Sequence, residues 1–166
     1  MFSINVPVPG TVARLAGELR PRLTPFERVR DRHTLVVKRF EEENLSAIRK
    51  RIRRAIRPAP AFEARTAGLG YFADPPTGTG PVVYLRIESP GLVDLHDRLV
   101  EEFGAIDGLE GDDYVPHVTL ARGGDVADAR TLAALEVDDA VWTVSRLVLW
   151  DPTYREAVGS IRLPTG

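Results

Sequence analysis

The segment that decides the fold reads Pro116-His117-Val118-Thr119-Leu120-Ala121-Arg122. Its β-forming residues predict a strand, and because strand side chains alternate with period two, His117 and Thr119 project from the same face. An imidazole beside a hydroxyl can bind a phosphate group and transfer a proton. Arg122 follows at an odd spacing, which places it near the end of the strand. A His-x-Thr pair is common by itself, and a hydrogen-bonded structural histidine is the alternative.

A second cluster, Arg32-His33-Thr34-Leu35-Val36-Val37, lies in the first half of the chain. Here the histidine stands one residue before the threonine instead of two, so simple alternation turns Arg32 and Thr34 to one face and His33 to the other. A one-residue β-bulge could return His33 to the face of Thr34. The sequence leaves both arrangements open. The choice matters because His33 could exchange protons near neutral pH, whereas Arg32 would stay charged and bind phosphate.

The elements around the two clusters follow in a similar order: a helix, the His-Thr strand, a helix and paired strands. Asn44 predicts the start of a helix with an apolar stripe at helical spacing, formed by Leu45, Ile48, Ile52 and Ile56. Ser89-Pro90 predicts the start of another helix, which Gly104 ends. This weak repeat of about 80 residues indicates an α+β fold of two pseudo-symmetric lobes, each giving one strand to a shared cleft.

The rest of the chain contains further strand and turn signals. A helix is predicted from Thr11 to before Pro21, and a short one over 129–135. Gly68 and Gly70 indicate a bulge or a close backbone approach within a strand. Strands are predicted over residues 2–8, 35–37, 62–72, 82–87, 141–149 and 154–163.

Length and composition limit the possible classes of protein. The 166 residues, with 43% hydrophobic and 28% charged side chains, predict a single globular domain over residues 1–166 with two lobes. The chain has no cysteine, which excludes disulfides and thiolate chemistry. A net charge of −2 argues against coating nucleic acid but allows a local basic face. No signal peptide or apolar run of about 20 residues is present, so we expect a cytoplasmic protein without membrane partners.

Several other site types find little support in the sequence. The three histidines, His33, His96 and His117, lack the spacing of a zinc site, and His96 is predicted to be a surface or boundary residue. There is no phosphate-binding Gly-rich motif with its lysine, so no ATP dependence is expected. The basic helix Arg49–Arg57 is either a solvated face or a surface that follows an RNA backbone.

On the basis of these two clusters, the sequence resembles the 2H phosphoesterase superfamily, which includes 2′-5′ RNA ligase-like proteins and cyclic phosphodiesterases. That family carries two His-x-Thr/Ser motifs on facing strands of a bilobal α+β fold. The segment Tyr114–Arg122 matches the second motif closely, including its trailing arginine. The first motif departs from the pattern, because Arg32 stands where the histidine belongs and His33 occupies the variable position.

The resemblance implies a metal-independent phosphoesterase that acts on a 2′,3′-cyclic phosphate or a 2′-5′ phosphodiester of RNA or small nucleotides. It implies antiparallel sheets lining a central cleft, with helices outside. One histidine would deprotonate water, and the other would protonate the departing sugar oxygen. No cofactor or metal is implied, and the partners would be RNA ends or small cyclic nucleotides. The alternative is a catalytically degenerate module that binds such ends. The implied catalytic residues are His33, Thr34, His117 and Thr119, and the implied phosphate-binding residues are Arg32 and Arg122.

Overall fold

Two antiparallel sheets form the frame of the molecule. The computed structural model describes residues 1–164 and places nine strands in these sheets. The first sheet has the order β3-β1-β8-β9 and the second the order β2-β6-β5-β4-β7. The strands are β1 (Phe2–Val6), β2 (Arg28–Val29), β3 (Leu35–Phe40), β4 (Phe62–Phe72), β5 (Val82–Glu88), β6 (His117–Arg122), β7 (Val141–Val144), β8 (Arg146–Asp151) and β9 (Glu156–Arg162).

Four α-helices accompany the sheets, and two of them begin at the predicted residues. The Asn44 side chain accepts a hydrogen bond from the Ala47 amide at 3.1 Å, and the Ser89 hydroxyl accepts one from Leu92 at 3.2 Å. Gly104 ends the second of these helices with a φ of +82°, which a side chain would strain. The helices are α1 (Gly10–Leu19), α2 (Leu45–Ala55), α3 (Pro90–Phe103) and α4 (Val126–Ala133), with short 3₁₀ turns at Arg20–Leu23 and Gly111–Asp113.

The prediction of one continuous strand over residues 141–149 is wrong, because the structure has two strands there. The chain leaves β7, which pairs with β4 in the second sheet, and after Ser145 it enters β8, which pairs with β1 in the first sheet. An uninterrupted β-forming run therefore crosses between sheets, and propensity alone cannot show such a crossing. The two-residue strand β2 was also missed, because it is too short to show alternation.

Alternation decides which side of the central strands is buried. In β6, Val118 and Leu120 are fully buried, whereas His117 and Thr119 are partly exposed on the opposite face. Ile48 and Ile52 of α2 are fully buried as well, as their helical spacing predicts. The predicted α+β architecture, with curled antiparallel sheets around a cleft and helices outside, is confirmed.

Candidate active site

A cavity of about 350 Å³ lies where the two His-Thr strands meet. It is lined by Arg39 of the first sheet and by Thr34, which directly precedes β3, and from the second sheet by His117, Thr119 and Arg122. Its volume falls in the range of small-molecule sites. Thr34 and Thr119 thus line one cavity, as the repeated Thr-Leu strands predict.

The first cluster presents its arginine to this cavity. Arg32 and Thr34 line the cavity, and His33 does not. His33 is partly buried elsewhere, and its pKa is lowered by burial and by the nearby Arg20 guanidinium, against the opposing charge of Asp31. His33 therefore lies outside the cavity, contrary to the placement that the resemblance implies. Residues 32–34 precede β3, which begins at Leu35, so the path of this loop and not strand pairing turns Arg32 and Thr34 to the cavity and His33 away from it.

Strand β3 does contain a bulge, but it falls farther along the chain. Ile4 of β1 pairs with Lys38 and the next residue, Asn5, pairs with Val36, so Val37 is the extra residue. The bulge brings Val36 and Arg39 to the same cavity although they are three residues apart. Arg39 was not identified from the sequence as a site residue.

A second bulge lies in β6 and places the arginine of the second motif. Val83 pairs with Ala121 and Tyr84 pairs with Thr119, which leaves Leu120 as the extra residue. Strict alternation would send Thr119 and Arg122 to opposite faces, but with the bulge both line the cavity. The sequence carried a signal for this bulge, namely two polar residues at an odd spacing in one strand.

His117 is held with one ring nitrogen available to the cavity. Its Nδ1 lies 2.6 Å from the Val115 carbonyl oxygen, and since a carbonyl only accepts, Nδ1 carries the hydrogen. In the neutral ring, Nε2 then bears the lone pair. The ring contacts Phe72 and Tyr84, with centroids 5.2 Å and 5.1 Å away, which fixes its orientation.

The surroundings of His117 favour its neutral form. Burial lowers the pKa of the imidazole, and the positive charges of Arg39 and Arg122 lower it further, while the hydrogen bond to Val115 acts in the opposite direction. A neutral imidazole with a free Nε2 is suited to accept a proton at neutral pH.

The aromatic neighbour of His117 depends on a glycine. A Cβ atom at Gly70 would lie 2.8 Å from ring atoms of Tyr84, so only glycine leaves room for that ring. The predicted close approach at Gly70 is therefore confirmed. Gly68 has a φ of +82° and lies where the β4–β5 register shifts, which confirms the predicted bulge.

The cavity has an excess of positive charge. Four arginines line it against two aspartates, although the whole chain has a formal charge of −2. Arg32 is held over the Trp150 ring of β8. This charge distribution suits an anionic ligand such as a phosphate ester. The arginines are Arg30, Arg32, Arg39 and Arg122, and the aspartates are Asp74 and Asp113.

A buried ion pair supports the wall behind Arg39. The Lys38 ammonium lies 2.5 Å from Glu110 Oε1, and both side chains are almost fully buried. The Glu110 carboxylate also accepts hydrogen bonds from the backbone amides of Arg39 at 2.9 Å and Ile106 at 3.0 Å. This carboxylate fastens the loop after α3, which contributes Gly108 and Leu109 to the cavity, onto β3.

His96 is structural, and its predicted surface position is wrong. The ring is fully buried, and its Nδ1 donates to the Val37 carbonyl at 2.6 Å. Its Nε2 accepts from the Gly111 amide at 3.0 Å, and the ring stacks on Tyr114 at 3.7 Å. Burial lowers the pKa of His96. Because both nitrogens bond to backbone groups, this imidazole joins β3 to the 3₁₀ turn and has no nitrogen free for chemistry.

The basic helix α2 keeps its charges on the outside. Arg51 and Arg54 bond to Glu102 of α3 at 2.9 Å and 2.8 Å. Within residues 1–164, the other basic residues of this helix and its end form no ion pair with a carboxylate. These four, Arg49, Lys50, Arg53 and Arg57, together line a surface groove.

The described part of the chain contains neither a membrane-spanning helix nor a metal-binding cluster. No helix in residues 1–164 combines the length and apolar character that crossing a membrane requires. Over the same residues, no group of three or more histidine, aspartate or glutamate side chains is placed to hold a metal ion.

Solved structures of other proteins share this fold. TT0787 of Thermus thermophilus is 22% identical, with 99% of this chain and 98% of that chain covered at a TM-score of 0.69. LigT of E. coli, solved with ATP, is 17% identical, with 99% and 97% covered at 0.70. Usb1 of Kluyveromyces marxianus is 11% identical, with 98% and 96% covered at 0.59.

Sequence comparison identifies the family. No curated protein matches the chain significantly. The sequence model of the family described as "2′-5′ RNA ligase superfamily" matches residues 9–154, which include both His-Thr clusters and the whole cavity lining. The chain therefore belongs to the 2′-5′ RNA ligase superfamily.

Proposed function

We propose that this protein binds a 2′,3′-cyclic phosphate or a 2′-5′ phosphodiester of an RNA end or small nucleotide and hydrolyses it slowly, with one histidine. The observation that carries the proposal is that His117 and Thr119 share a cavity with Arg32 and Thr34, while His33 lies outside. Because residues of both lobes line that cavity, neither lobe is expected to act alone. The fold relative LigT has been solved with ATP and with 3′-AMP, which is consistent with a nucleotide ligand here.

In the proposed reaction, His117 is the general base. Its Nε2 takes a proton from a water molecule as the water oxygen bonds to phosphorus and the bond to one ribose oxygen breaks. The Thr34 and Thr119 hydroxyls donate to non-bridging oxygens, and Arg32 stabilises the developing negative charge. The departing ribose oxygen takes its proton from solvent. If an RNA hydroxyl attacks phosphorus in place of water, the same displacement forms a new phosphodiester bond, which gives ligation without a nucleoside triphosphate.

The arginine in the first half-site limits the rate. A guanidinium stays protonated at neutral pH, so Arg32 cannot protonate the leaving oxygen as an imidazolium would. Loss of one positioned proton-transfer group costs about 10²–10⁴-fold in rate.

The second candidate function is therefore that of a binding module without turnover. The stacking of Arg32 on Trp150 favours it, because a fixed cation suits binding better than proton transfer.

The experiment measures binding and turnover separately. Calorimetry with a nucleoside 2′,3′-cyclic phosphate gives the affinity, and chromatographic separation of the 2′- and 3′-phosphate products gives the rate. His117→Asn should abolish turnover and keep the fold, and His33→Ala is the matched control. Binding without turnover by the unaltered protein would select the binding module. Full turnover by His117→Asn, or no binding at all, would overturn the proposal.

A further inference from the structure

Arg28, Arg30 and Arg122 lie close together at the cavity, which Arg30 and Arg122 line. Strand β2 runs antiparallel to β6, with Arg28 directly opposite Arg122. The Arg30 amide donates to the Leu120 carbonyl at 2.8 Å, which continues this pairing, and Arg30 lines the cavity with Arg122. Like charges directly opposite each other weaken an antiparallel pair, so this arrangement is unfavourable unless an anion lies between the arginines.

The environment of Arg122 shows the same imbalance. Its Nε atom is buried and has no hydrogen-bond acceptor among residues 1–164. Burial lowers the pKa of the guanidinium, and the charges of Arg30 and Arg28 lower it further. Within the described residues, none of the three arginines forms an ion pair with a carboxylate. The cluster therefore offers several charge-assisted donors to an acceptor that the chain itself does not supply.

The Arg122 guanidinium lies beside the loop between β4 and β5. The loop between β4 and β5 passes over it at Gly78, where a Cβ atom would lie 1.9 Å from Arg122 Nη1. Along β6, Arg122 follows Thr119 by three residues, one of which is the bulged Leu120, so their backbone positions are about 7–10 Å apart. Donors separated in this way can serve two anionic groups at once.

We propose that Arg28, Arg30 and Arg122 bind a second phosphate group of the substrate, separate from the phosphate held between His117, Thr34 and Thr119. This inference rests on the proposed function and narrows its substrate class. The preferred ligand is a cyclic phosphate end that carries a further phosphate, either as a 5′-phosphate or as an internucleotide linkage. A phosphate matches the planar donors of arginine, and its charge would offset the repulsion between Arg28 and Arg122.

The test compares three ligands by calorimetry. They are adenosine 2′,3′-cyclic phosphate, the same nucleotide with a 5′-phosphate, and a dinucleotide that ends in the cyclic phosphate. Either second phosphate should raise the affinity of the unaltered protein by about 10-fold or more, as expected for hydrogen bonds between charged groups. The larger gain shows whether a monoester or an internucleotide phosphate is the natural occupant.

Substitutions test whether the gain in affinity from the second phosphate comes from the three arginines. Arg28→Gln should remove most of the gain from the second phosphate and should affect the one-phosphate ligand much less. Arg30→Gln should do the same. Arg14→Gln, an exposed arginine on α1, is the matched control and should keep the full gain. Since Arg28 and Arg30 are exposed, their replacement should not prevent folding, which a thermal melt checks.

The outcomes separate this inference from the proposed function. If the one-phosphate ligand binds and a second phosphate adds nothing, the second-phosphate site is overturned and the proposed function stands. If the second phosphate raises the affinity of Arg28→Gln and Arg30→Gln as much as that of the unaltered protein, the second-phosphate site is likewise overturned and the proposed function stands. If none of the three ligands binds, both proposals fail together.

Discussion

The guanidinium carbon of Arg32 lies 3.9 Å from the centre of the Trp150 indole ring, although the two residues are far apart in sequence. Strand β1 places the indole on the same sheet face as Arg39, because it lies between β3 and β8 in the first sheet. Its Ser3 pairs with Arg39 on one side and with Trp150 on the other, and directly opposed residues in an antiparallel sheet share a face. The cation of the first half-site is therefore positioned by an aromatic side chain from the C-terminal part of the chain.

Removing the indole ring should loosen Arg32. We expect Trp150→Leu to weaken affinity for a nucleoside 2′,3′-cyclic phosphate by about 2- to 5-fold, the size of an exposed cation–π contact. Arg32→Ala should weaken it more, by about 10-fold, because charge-assisted hydrogen bonds are lost. Calorimetry measures both effects. Equal affinity in Arg32→Ala and the unaltered protein would show that Arg32 does not hold the phosphate.

Arg32→His should restore a second proton-transfer group to the cavity. Because residue 32 lines the cavity and residue 33 does not, we expect turnover of the cyclic nucleotide to rise by up to about 10²–10⁴-fold. The double variant with His117→Asn is the control and should lose the gain. No increase in a folded Arg32→His protein would show that the site lacks more than a second imidazole.

The pH dependence of turnover should report His117 alone. The neutral imidazole is the active form, so the rate should rise with pH through one ionisation and then level off. Its midpoint should lie below the ordinary histidine pKa of about 6.5, because burial, Arg39 and Arg122 lower the pKa of His117. Arg39→Gln should raise this pKa, which NMR titration of the ring can follow. A bell-shaped profile in the unaltered protein would reveal a second titrating group.

Acid should destabilise the fold through His96. Its pKa is lowered in the folded state, so the unfolded chain binds more protons once the pH falls below about 6.5, and the free energy of unfolding decreases. At pH 7.5, His96→Ala should cost about 2–4 kcal/mol, since it leaves a cavity and two backbone groups without partners. Urea denaturation of both proteins at pH 5.5 and 7.5 measures this. If the change from pH 7.5 to pH 5.5 lowers the free energy of unfolding equally in both proteins, groups other than His96 cause the acid sensitivity.

The exposed arginines of α2 and of the segment that follows it should contribute to RNA binding through the RNA backbone. We expect Arg53→Gln and Arg57→Gln each to flatten the slope of log affinity against log salt by about 0.7 for a single-stranded RNA. Fluorescence anisotropy at several salt concentrations measures the slope, with Arg14→Gln as the matched control. If neither substitution changes the slope, the basic side chains of this helix form a solvated surface that does not contact RNA.

Local sequence patterns were sufficient to predict most of the helices and strands and the functional face of β6. Alternation placed His117 and Thr119 together and buried Val118 and Leu120 behind them. Asn44 and Ser89 marked where two helices begin, because their side chains bond to the first free amides. These features depend on neighbours within about four residues, so a local pattern contains them.

Only the tertiary structure decided how the site is completed. Whether Arg32 or His33 faces the cavity is settled in the loop before β3, where Arg32 packs on Trp150 of the distant strand β8. Arg39 and Arg122 reach the cavity through bulges, which are fixed by pairing with distant strands. His96 was misplaced because its two partners lie 59 and 15 residues away in sequence. Pairing register and burial arise from contacts between distant segments, and one sequence records such contacts only indirectly.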